Sequence, residues 1–195
     1  MNTANKITMT RVLLIPVFIV LLYIDFTVNV FITNVSIALL VFIGAAITDI
    51  ADGVVARNRN QITDFGKFMD PLADKLLTFA ALLWFIEVGF MPAWLVFIVI
   101  VREFMVTGIR LVAAAKSKVI AASLYGKIKT GVTIGCIITM FVLYMQIPVG
   151  EWIPIPWEQI SSWMLIFCWA LIGVTTVISG IDYLVKNREI MRLDR

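Results

Sequence analysis

The chain has 195 residues, of which 61% are hydrophobic, and a net charge of only +3. Its mean hydropathy of +0.98 excludes an ordinary soluble domain, because that much apolar sequence would leave large apolar patches in water. We therefore expect a membrane environment, with membrane lipids around the chain and no nucleic-acid partner. The absence of histidine removes the usual zinc ligand and the usual proton shuttle near neutral pH.

The first hydrophobic run covers residues 12–23 and follows Lys6 and Arg11, which is a pattern that signal peptides also show. The chain continues with Ile24, Asp25 and Phe26, without the small residues of a cleavage site. We therefore predict that this run is a retained first helix.

Six hydrophobic segments can be marked along the chain, at residues 12–26, 35–56, 72–88, 93–115, 129–147 and 159–185. A transmembrane helix needs roughly 20 residues, so a chain of this length accommodates six of them. No alternating strand pattern competes, and helices satisfy their own backbone hydrogen bonds in lipid. The sequence predicts an all-α polytopic membrane protein with six transmembrane helices, in a single domain over residues 1–195.

The distribution of basic residues predicts the orientation of these spans. With six spans, the N-terminus, the second loop, the fourth loop and the C-terminus share one side. That side carries Lys6, Arg11, Arg57, Arg59, Lys67, Lys116, Lys118, Lys127, Lys129, Lys186, Arg188, Arg192 and Arg195. The loops of the other side carry only acidic charges, at Asp25, Glu87, Glu151 and Glu158. Cytoplasmic loops are enriched in lysine and arginine, so both termini are predicted to be cytoplasmic.

Four aspartates lie on the two segments that flank the second loop. Asp49 and Asp52 are three residues apart near the end of the second segment, and Asp70 and Asp74 are four apart near the start of the third. Residues three or four apart share a helix face. Because a short loop favours antiparallel neighbours, we predict that the four carboxylates converge just inside the cytoplasmic surface.

A cluster of four carboxylates is costly to bury unless cations neutralise it. Oxygen ligands without histidine favour hard ions, so the pattern predicts two divalent cations, Mg²⁺ or Mn²⁺. Two such ions can clamp a pyrophosphate and stabilise the attacking and leaving oxygens in a substitution at phosphorus. The alternative is a structural ion-pair network of the aspartates with Arg57, Arg59 and Lys67.

The same residues carry a resemblance to a known family. The pattern D-x-x-D-G-x-x-A-R, then eight residues, then G-x-x-x-D-x-x-x-D is met at every fixed position, which are Asp49, Asp52, Gly53, Ala56, Arg57, Gly66, Asp70 and Asp74. The chain thereby resembles the CDP-alcohol phosphatidyltransferases, whose six-helix layout also fits its whole length. The resemblance implies a metal-dependent transfer of a phosphatidyl group from a CDP-activated lipid to an alcohol.

The resemblance also implies a role for each position. Asp49, Asp52, Asp70 and Asp74 would hold the metal ions, and Asp74 would also be the base that deprotonates the attacking hydroxyl. Five residues would shape the pocket for the CDP moiety, namely Gly53, Ala56, Arg57, Gly66 and Thr8. Physical chemistry agrees, because glycine allows close approach of backbone to a phosphate and arginine offers a planar fork for pyrophosphate oxygens.

Shorter motifs are similar to the branch of the family that uses glycerol 3-phosphate as acceptor. They lie at residues 5–11, 102–103, 108–110 and 121–130. The resemblance thus implies CDP-diacylglycerol and glycerol 3-phosphate as substrates. It also implies a homodimer in the cell membrane, with an active site that faces the cytoplasm. Two alternatives stay open: the same chemistry with another acceptor, such as inositol phosphate or serine, or a cation transporter that uses the aspartates as its transit site.

Basic residues of the fourth and fifth segments are the candidates for binding the acceptor's phosphate. Glycerol 3-phosphate brings about two negative charges at neutral pH, which cationic side chains would offset. The candidates are Arg110, Lys127, Lys129, Arg102 and Lys118. Arg102 and its neighbour Glu103 lie near the middle of a span, where ionisable residues are functional candidates. For Arg102 and Glu103, internal polar contacts between helices explain the sequence equally well.

Overall fold

The computed structural model describes the backbone of residues 3–24, 28–55, 64–115, 120, 123–146 and 157–188. It describes the side chains of residues 13–24, 33–48, 75–114, 120, 123–145 and 158–188. Within these residues all regular structure is helical, which confirms the predicted all-α class. The six helices are α1 (Thr3–Tyr23), α2 (Val28–Val55), α3 (Asp64–Glu87), α4 (Ala93–Ala115), α5 (Leu124–Gln146) and α6 (Trp157–Lys186).

The helices extend beyond several of the predicted hydrophobic segments, because they continue through charged sequence. The structure begins α3 at Asp64 and α5 at Leu124, whereas the apolar segments begin at residues 72 and 129. It begins α1 at Thr3, ahead of the first apolar run. A hydrophobic segment ends where charges begin, but backbone hydrogen bonding does not depend on side-chain polarity. Both metal-binding pairs predicted from the sequence therefore lie inside helices.

Two helices are long and apolar enough to cross a membrane, over Leu124–Met145 and Glu158–Lys186. Shorter apolar helical stretches cover Leu13–Tyr23 and Thr33–Thr48. Large apolar side chains are exposed on α4 and α6. For example, 66% of the surface of Phe97 and 71% of that of Trp163 is exposed. Surface of this kind fits lipid better than water. The chain is therefore a helical membrane protein.

Contacts divide the chain into two compact units. Unit 1 comprises residues 1–84 and 138–155, so it holds α1, α2, most of α3 and the second half of α5. Unit 2 comprises residues 85–137 and 156–195, so it holds the end of α3, α4, the first half of α5 and α6.

The core of unit 1 is aromatic. Phe18, Phe42 and Phe141 form a triangle with ring centroids 6.2–6.3 Å apart. Trp84 stacks on Phe141 at 5.5 Å and meets the ring of Tyr144 edge-on at 4.9 Å. Each such pair contributes about 0.5–1.5 kcal/mol. Because lipid tails are as apolar as these side chains, close packing, rather than removal from water, holds helices together in a membrane.

The core of unit 2 depends on close approach of α4 and α6. A Cβ added at Gly173 would lie 3.3 Å from Leu95, and one added at Gly180 would lie 3.4 Å from the Cγ of Arg102. Small residues at helix crossings let the two backbones approach and pack in this way. The indole of Trp169 also donates a hydrogen bond to the carbonyl of Phe90, at 2.9 Å.

The turn between α3 and α4 is closed by a glycine with positive φ. Gly89 has a φ of 75°, and its N–H donates to the Ile86 carbonyl at 3.1 Å. The N–H of Phe90 donates to the Phe85 carbonyl at 2.8 Å. This pair of bonds is a Schellman motif, which satisfies the last carbonyls of α3. Pro92 follows and precedes the start of α4 at Ala93.

Candidate active site

The four aspartates of the sequence motif lie on two helices of unit 1. Asp49 and Asp52 belong to the last two turns of α2, and Asp70 and Asp74 to the first three turns of α3. At 3.6 residues per turn, each pair shares one face of its helix. Their side chains lie outside the described residues, so their convergence stays a prediction. Among the side chains that the structure does describe, no group of three or more His, Cys, Asp or Glu residues could hold a metal ion.

The residues predicted to shape the CDP pocket also lie mostly on helices of unit 1. Thr8 lies on α1, Gly53 on the last turn of α2 and Gly66 on the first turn of α3. Their surroundings fall outside the described part of the chain. Ala56 and Arg57 lie wholly outside it. The assignment of these five residues therefore rests on the sequence motif.

Unit 2 contains a buried ionic cluster built from three helices. We use the name ionic cluster for Arg102 and Glu103 of α4, Lys129 of α5 and Ser179 of α6. One carboxylate oxygen, Oε1 of Glu103, accepts hydrogen bonds from Nη1 of Arg102 and from Nζ of Lys129, each at 2.7 Å. The other terminal nitrogen of Arg102, Nη2, donates to the Ser179 hydroxyl. All four residues are at most 9% exposed.

Two glycines lie against the side chain of Arg102. A Cβ added at Gly126 would lie 3.5 Å from its Nη2, and one added at Gly180 would lie 3.4 Å from its Cγ. The Nε of Arg102 is buried and has no hydrogen-bond partner among the residues that the structure describes. The guanidinium of Arg102 thus lies between α5 and α6.

The first two turns of α5 carry two lysines that the sequence proposed as phosphate ligands. Ser123 caps this helix, because its hydroxyl accepts a hydrogen bond from the Gly126 N–H at 3.1 Å. Lys127 is exposed. Lys129 is buried, with only 4% of its surface exposed, and it belongs to the ionic cluster. The two predicted ligands therefore differ in environment: Lys127 can meet a solute directly, and Lys129 already has a carboxylate partner.

Exposed cations surround the same end of α4, α5 and α6. The guanidinium of Arg110 lies 5.7 Å from the ring centroid of Tyr183, and the ammonium of Lys186 lies 5.7 Å from that of Tyr125. Lys186 also pairs with Asp182 at 2.6 Å, four residues earlier on α6. These contacts hold cationic heads against aromatic faces. Lys118, the remaining predicted phosphate ligand, lies outside the described residues.

Sequence reasoning missed Ser179 and Tyr183. Each lies on α6, tens of residues from the α4 residue that it contacts. The signal available in the sequence was weak: small residues, Ser179 and Gly180, interrupt an otherwise apolar helix. Such a pair is typical of a close helix crossing. It does not identify the side chain on the facing helix.

A model of the CDP-alcohol phosphatidyltransferase family matches residues 1–181 of the chain. The chain belongs to this family. Membership makes it an enzyme of the transferase class.

Individual members of the family match over most of the chain. A CDP-diacylglycerol–glycerol-3-phosphate 3-phosphatidyltransferase of Bacillus subtilis is 40% identical over 98% of this chain and 97% of its own length. A probable phosphatidylglycerophosphate synthase of Mycobacterium tuberculosis is 35% identical over 95% of this chain and 81% of its own. A CDP-diacylglycerol–glycerol-3-phosphate 3-phosphatidyltransferase of Wigglesworthia glossinidia brevipalpis is 34% identical over 68% of this chain and 72% of its own length.

Proposed function

We propose that this CDP-alcohol phosphatidyltransferase transfers the phosphatidyl group of CDP-diacylglycerol to glycerol 3-phosphate, giving phosphatidylglycerophosphate and CMP. The observation that carries the proposal is the match to the Bacillus subtilis relative, which bears that name and is 40% identical over nearly the full length of both chains. The basic residues of α4 and α5 support the same acceptor, because glycerol 3-phosphate is an anion.

Two divalent cations, Mg²⁺ or Mn²⁺, fit the donor set of Asp49, Asp52, Asp70 and Asp74. The set offers only carboxylate oxygens, and the chain has no histidine to favour softer ions. Bound there, the ions would draw charge from the pyrophosphate oxygens and from the attacking hydroxyl. The spacing of each aspartate pair puts two carboxylates on one face of its helix. One pair from α2 and one from α3 could therefore bind the same ions.

In the proposed reaction, the acceptor hydroxyl attacks the phosphorus next to diacylglycerol. A new phosphorus–oxygen bond forms, the bond from that phosphorus to the CMP oxygen breaks, and CMP leaves. Asp74 accepts the proton of the attacking hydroxyl. Gly53, Ala56, Arg57, Gly66 and Thr8 bind the CDP moiety, with Arg57 directed at pyrophosphate oxygens as a planar cation.

The acceptor's phosphate is proposed to meet the cations of unit 2. Arg110 and Lys127 are exposed in the structure and can contact it directly. Lys118 adds a further positive charge in the sequence between α4 and α5. Arg102 and Lys129 are buried, so they contribute through the ionic cluster rather than as surface ligands.

The proposed membrane arrangement has six spans, with both termini and the active site on the cytoplasmic side, within one domain over residues 1–195. The support is the charge asymmetry of the loops, together with the apolar surface of the helices. A cytoplasmic site suits the substrates, because one is held in the bilayer and the other is water-soluble. Labelling of single cysteines introduced in the loops tests this topology.

We also propose a homodimer. A surface suited to it lies on α5, where Gly131 and Gly135 stand four residues apart. A Cβ added at either glycine would meet no described residue within 4 Å. Glycines at this spacing allow close helix–helix association in membranes. Replacement of Gly135 by leucine would then lower the dimer fraction measured by cross-linking.

The experiment that tests the function is an assay of CMP release by the purified chain with CDP-diacylglycerol, Mg²⁺ and a panel of acceptors. We expect release with glycerol 3-phosphate and none when chelator replaces the metal. Release only with serine or inositol phosphate would overturn the acceptor assignment. No release with any acceptor would count against the enzyme and leave ion flux through reconstituted vesicles to be measured.

A further inference from the structure

We propose that a groove between α4 and α6 binds one acyl chain of an anionic phospholipid, and that Arg188 holds the phosphate of this lipid. We use the name α4–α6 groove for the surface lined chiefly by Phe97, Val101, Met105, Val177, Ile181 and Leu184. All these residues lie in unit 2, and none belongs to the eight-position motif. The proposal therefore concerns a membrane lipid other than the substrate. It uses the proposed topology but not the proposed reaction.

The α4–α6 groove runs along the axes of its two helices. The helices contact each other, and beside the contact the groove has a volume of about 250 Å³. Its apolar walls repeat every three or four residues on each helix, so they share one face of α4 and one face of α6. From Phe97 to Met105 the groove is about 12 Å long, at 1.5 Å per residue.

The surface inside the groove is apolar. Arg102 and Thr176 also border it, but the Nε of Arg102 and the hydroxyl of Thr176 are buried. Phe97, Val177 and Ile181 are exposed, so the groove opens onto the surroundings of the helices. A hydrocarbon chain fits this surface, whereas a phosphate there would lose its hydration without gaining a polar partner.

The size and direction of the groove favour a single acyl chain. An α-helix is about 10 Å across, so a 12 Å length of it occupies roughly 900 Å³, several times the volume of the groove. Helix α6 is long and apolar enough to cross a membrane. Such helices tilt only about 20° from the bilayer normal on average. Lipid chains run in the same direction, so the groove is aligned with them.

Arg188 provides a cation beyond one end of the groove. The N–H of Asn187 donates to the carbonyl of Tyr183 at 3.2 Å, so helical hydrogen bonding continues to the residue before Arg188. Arg188 follows Leu184 by four residues, which puts it on the groove side of the helix. Its side chain is exposed. It is therefore accessible to a lipid headgroup.

The charge of Arg188 favours an anionic lipid. The proposed topology places this end of α6 at the cytoplasmic surface, where the leaflet carries anionic lipids that attract arginine. A guanidinium can bind two phosphate oxygens at once. One lipid can thus place its chain against Leu184 and its phosphate at Arg188, about 6 Å further along the helix axis.

The test is photolabelling of the full-length chain in vesicles of phosphatidylcholine and phosphatidylglycerol. The probe is a phosphatidylglycerol that carries a diazirine on one acyl chain, and peptide mass spectrometry maps the residues to which irradiation attaches it. We expect the groove residues of α4 and α6 to be labelled in excess of other exposed apolar positions. Labelling spread evenly over the exposed apolar surface would overturn the inference.

Two valines of α6 provide a matched pair of variants. Val177 lines the groove, whereas Val174 is not among its walls, and both are exposed. Val177→Trp should fill the groove and abolish the excess labelling, while Val174→Trp should leave it unchanged. Equal effects of the two variants would contradict a bound chain. If Val177→Trp does not fold, the labelling map of the unmodified chain still decides the question.

The phosphate contact is tested by Arg188→Gln, with Lys186→Gln as the control. One arginine near an anionic bilayer contributes about fivefold in affinity, so Arg188→Gln should lower the groove labelling about fivefold. Lys186 is already paired with Asp182, so its replacement should leave the labelling unchanged. A phosphatidylcholine with the same diazirine chain should label the unmodified chain less. Equal labelling by both probes would overturn the role of Arg188.

Two further results would assign the groove to another occupant and overturn the inference. A disulfide-linked dimer of Val177→Cys in the vesicles would show that a second copy of the chain covers the groove. Loss of labelling in excess CDP-diacylglycerol would make the groove part of the substrate site. The proposed function fails separately, in the CMP-release assay, and that failure would leave the labelling results as they are.

Discussion

The cores of the two units use different interactions to hold helices together in an apolar environment. Unit 1 uses aromatic rings such as Trp84 and Phe141, whereas unit 2 uses a carboxylate that binds two cations. Dispersion between rings is weakly directional and is shared among many atoms. Ion pairs and charge-assisted hydrogen bonds require both partners in one geometry. The aromatic core should therefore tolerate small displacements of its side chains better than the ionic core does.

The largest expected effect is the loss of the proposed base on the helices of unit 1. Asp74→Asn keeps the size of the side chain and removes its capacity to accept the proton, so we expect CMP release to fall about 10³-fold. Asp182→Asn is the matched control, because this aspartate of unit 2 is paired with Lys186 on α6. An equal loss in both variants would contradict the division of roles between the units.

The aromatic core is tested by Trp84→Ala. This change removes a stacked contact with Phe141 and an edge contact with Tyr144, so we expect the free energy of unfolding to fall by about 3 kcal/mol. Trp84→Phe keeps a ring and should cost less. Unfolding in mixed micelles measures both. A change in the acceptor KM of the folded variants, at unchanged stability, would break the comparison.

A smaller effect is expected at the exposed cations of unit 2. Arg110→Ala removes a guanidinium that lies over the ring of Tyr183, and we expect the KM for glycerol 3-phosphate to rise about tenfold, since a charge-assisted hydrogen bond to phosphate is lost. Arg110→Lys should recover part of the loss, because it keeps the charge but not the planar fork. An equal rise in the KM for CDP-diacylglycerol would contradict an acceptor-specific role.

The smallest effect is expected at the ion pair of α6, whose lysine is exposed. The side chain of Lys186 is 61% exposed, and solvent screens its pairing with Asp182. Lys186→Ala should therefore change the free energy of unfolding by at most about 0.5 kcal/mol. The same unfolding assay measures it. A loss comparable to that of Trp84→Ala would show that surface charges stabilise unit 2 more than the comparison allows.

Local features of the structure were predictable from the sequence, because neighbouring residues decide them. The helical class follows from composition and length, and the structure confirms it over the described residues. The starts of α3 and α5 could not be predicted from hydropathy, because these helices begin in charged sequence ahead of the apolar segments. Gly89 has a positive φ and follows the end of α3. In the sequence, only the glycine itself indicated this conformation.

The sequence by itself determined that this protein is helical, apolar and equipped with an eight-position motif that identifies its family, because each of these is a property of short-range pattern and composition. Only the tertiary structure decided that Lys129 is a buried partner of Glu103, 26 residues away, while Lys127 is exposed. It likewise brought Ser179 to Arg102 across 77 residues. The physical reason is that the helical repeat fixes which residues of one helix share a face. Packing of the helices then decides which residues of another helix that face contacts.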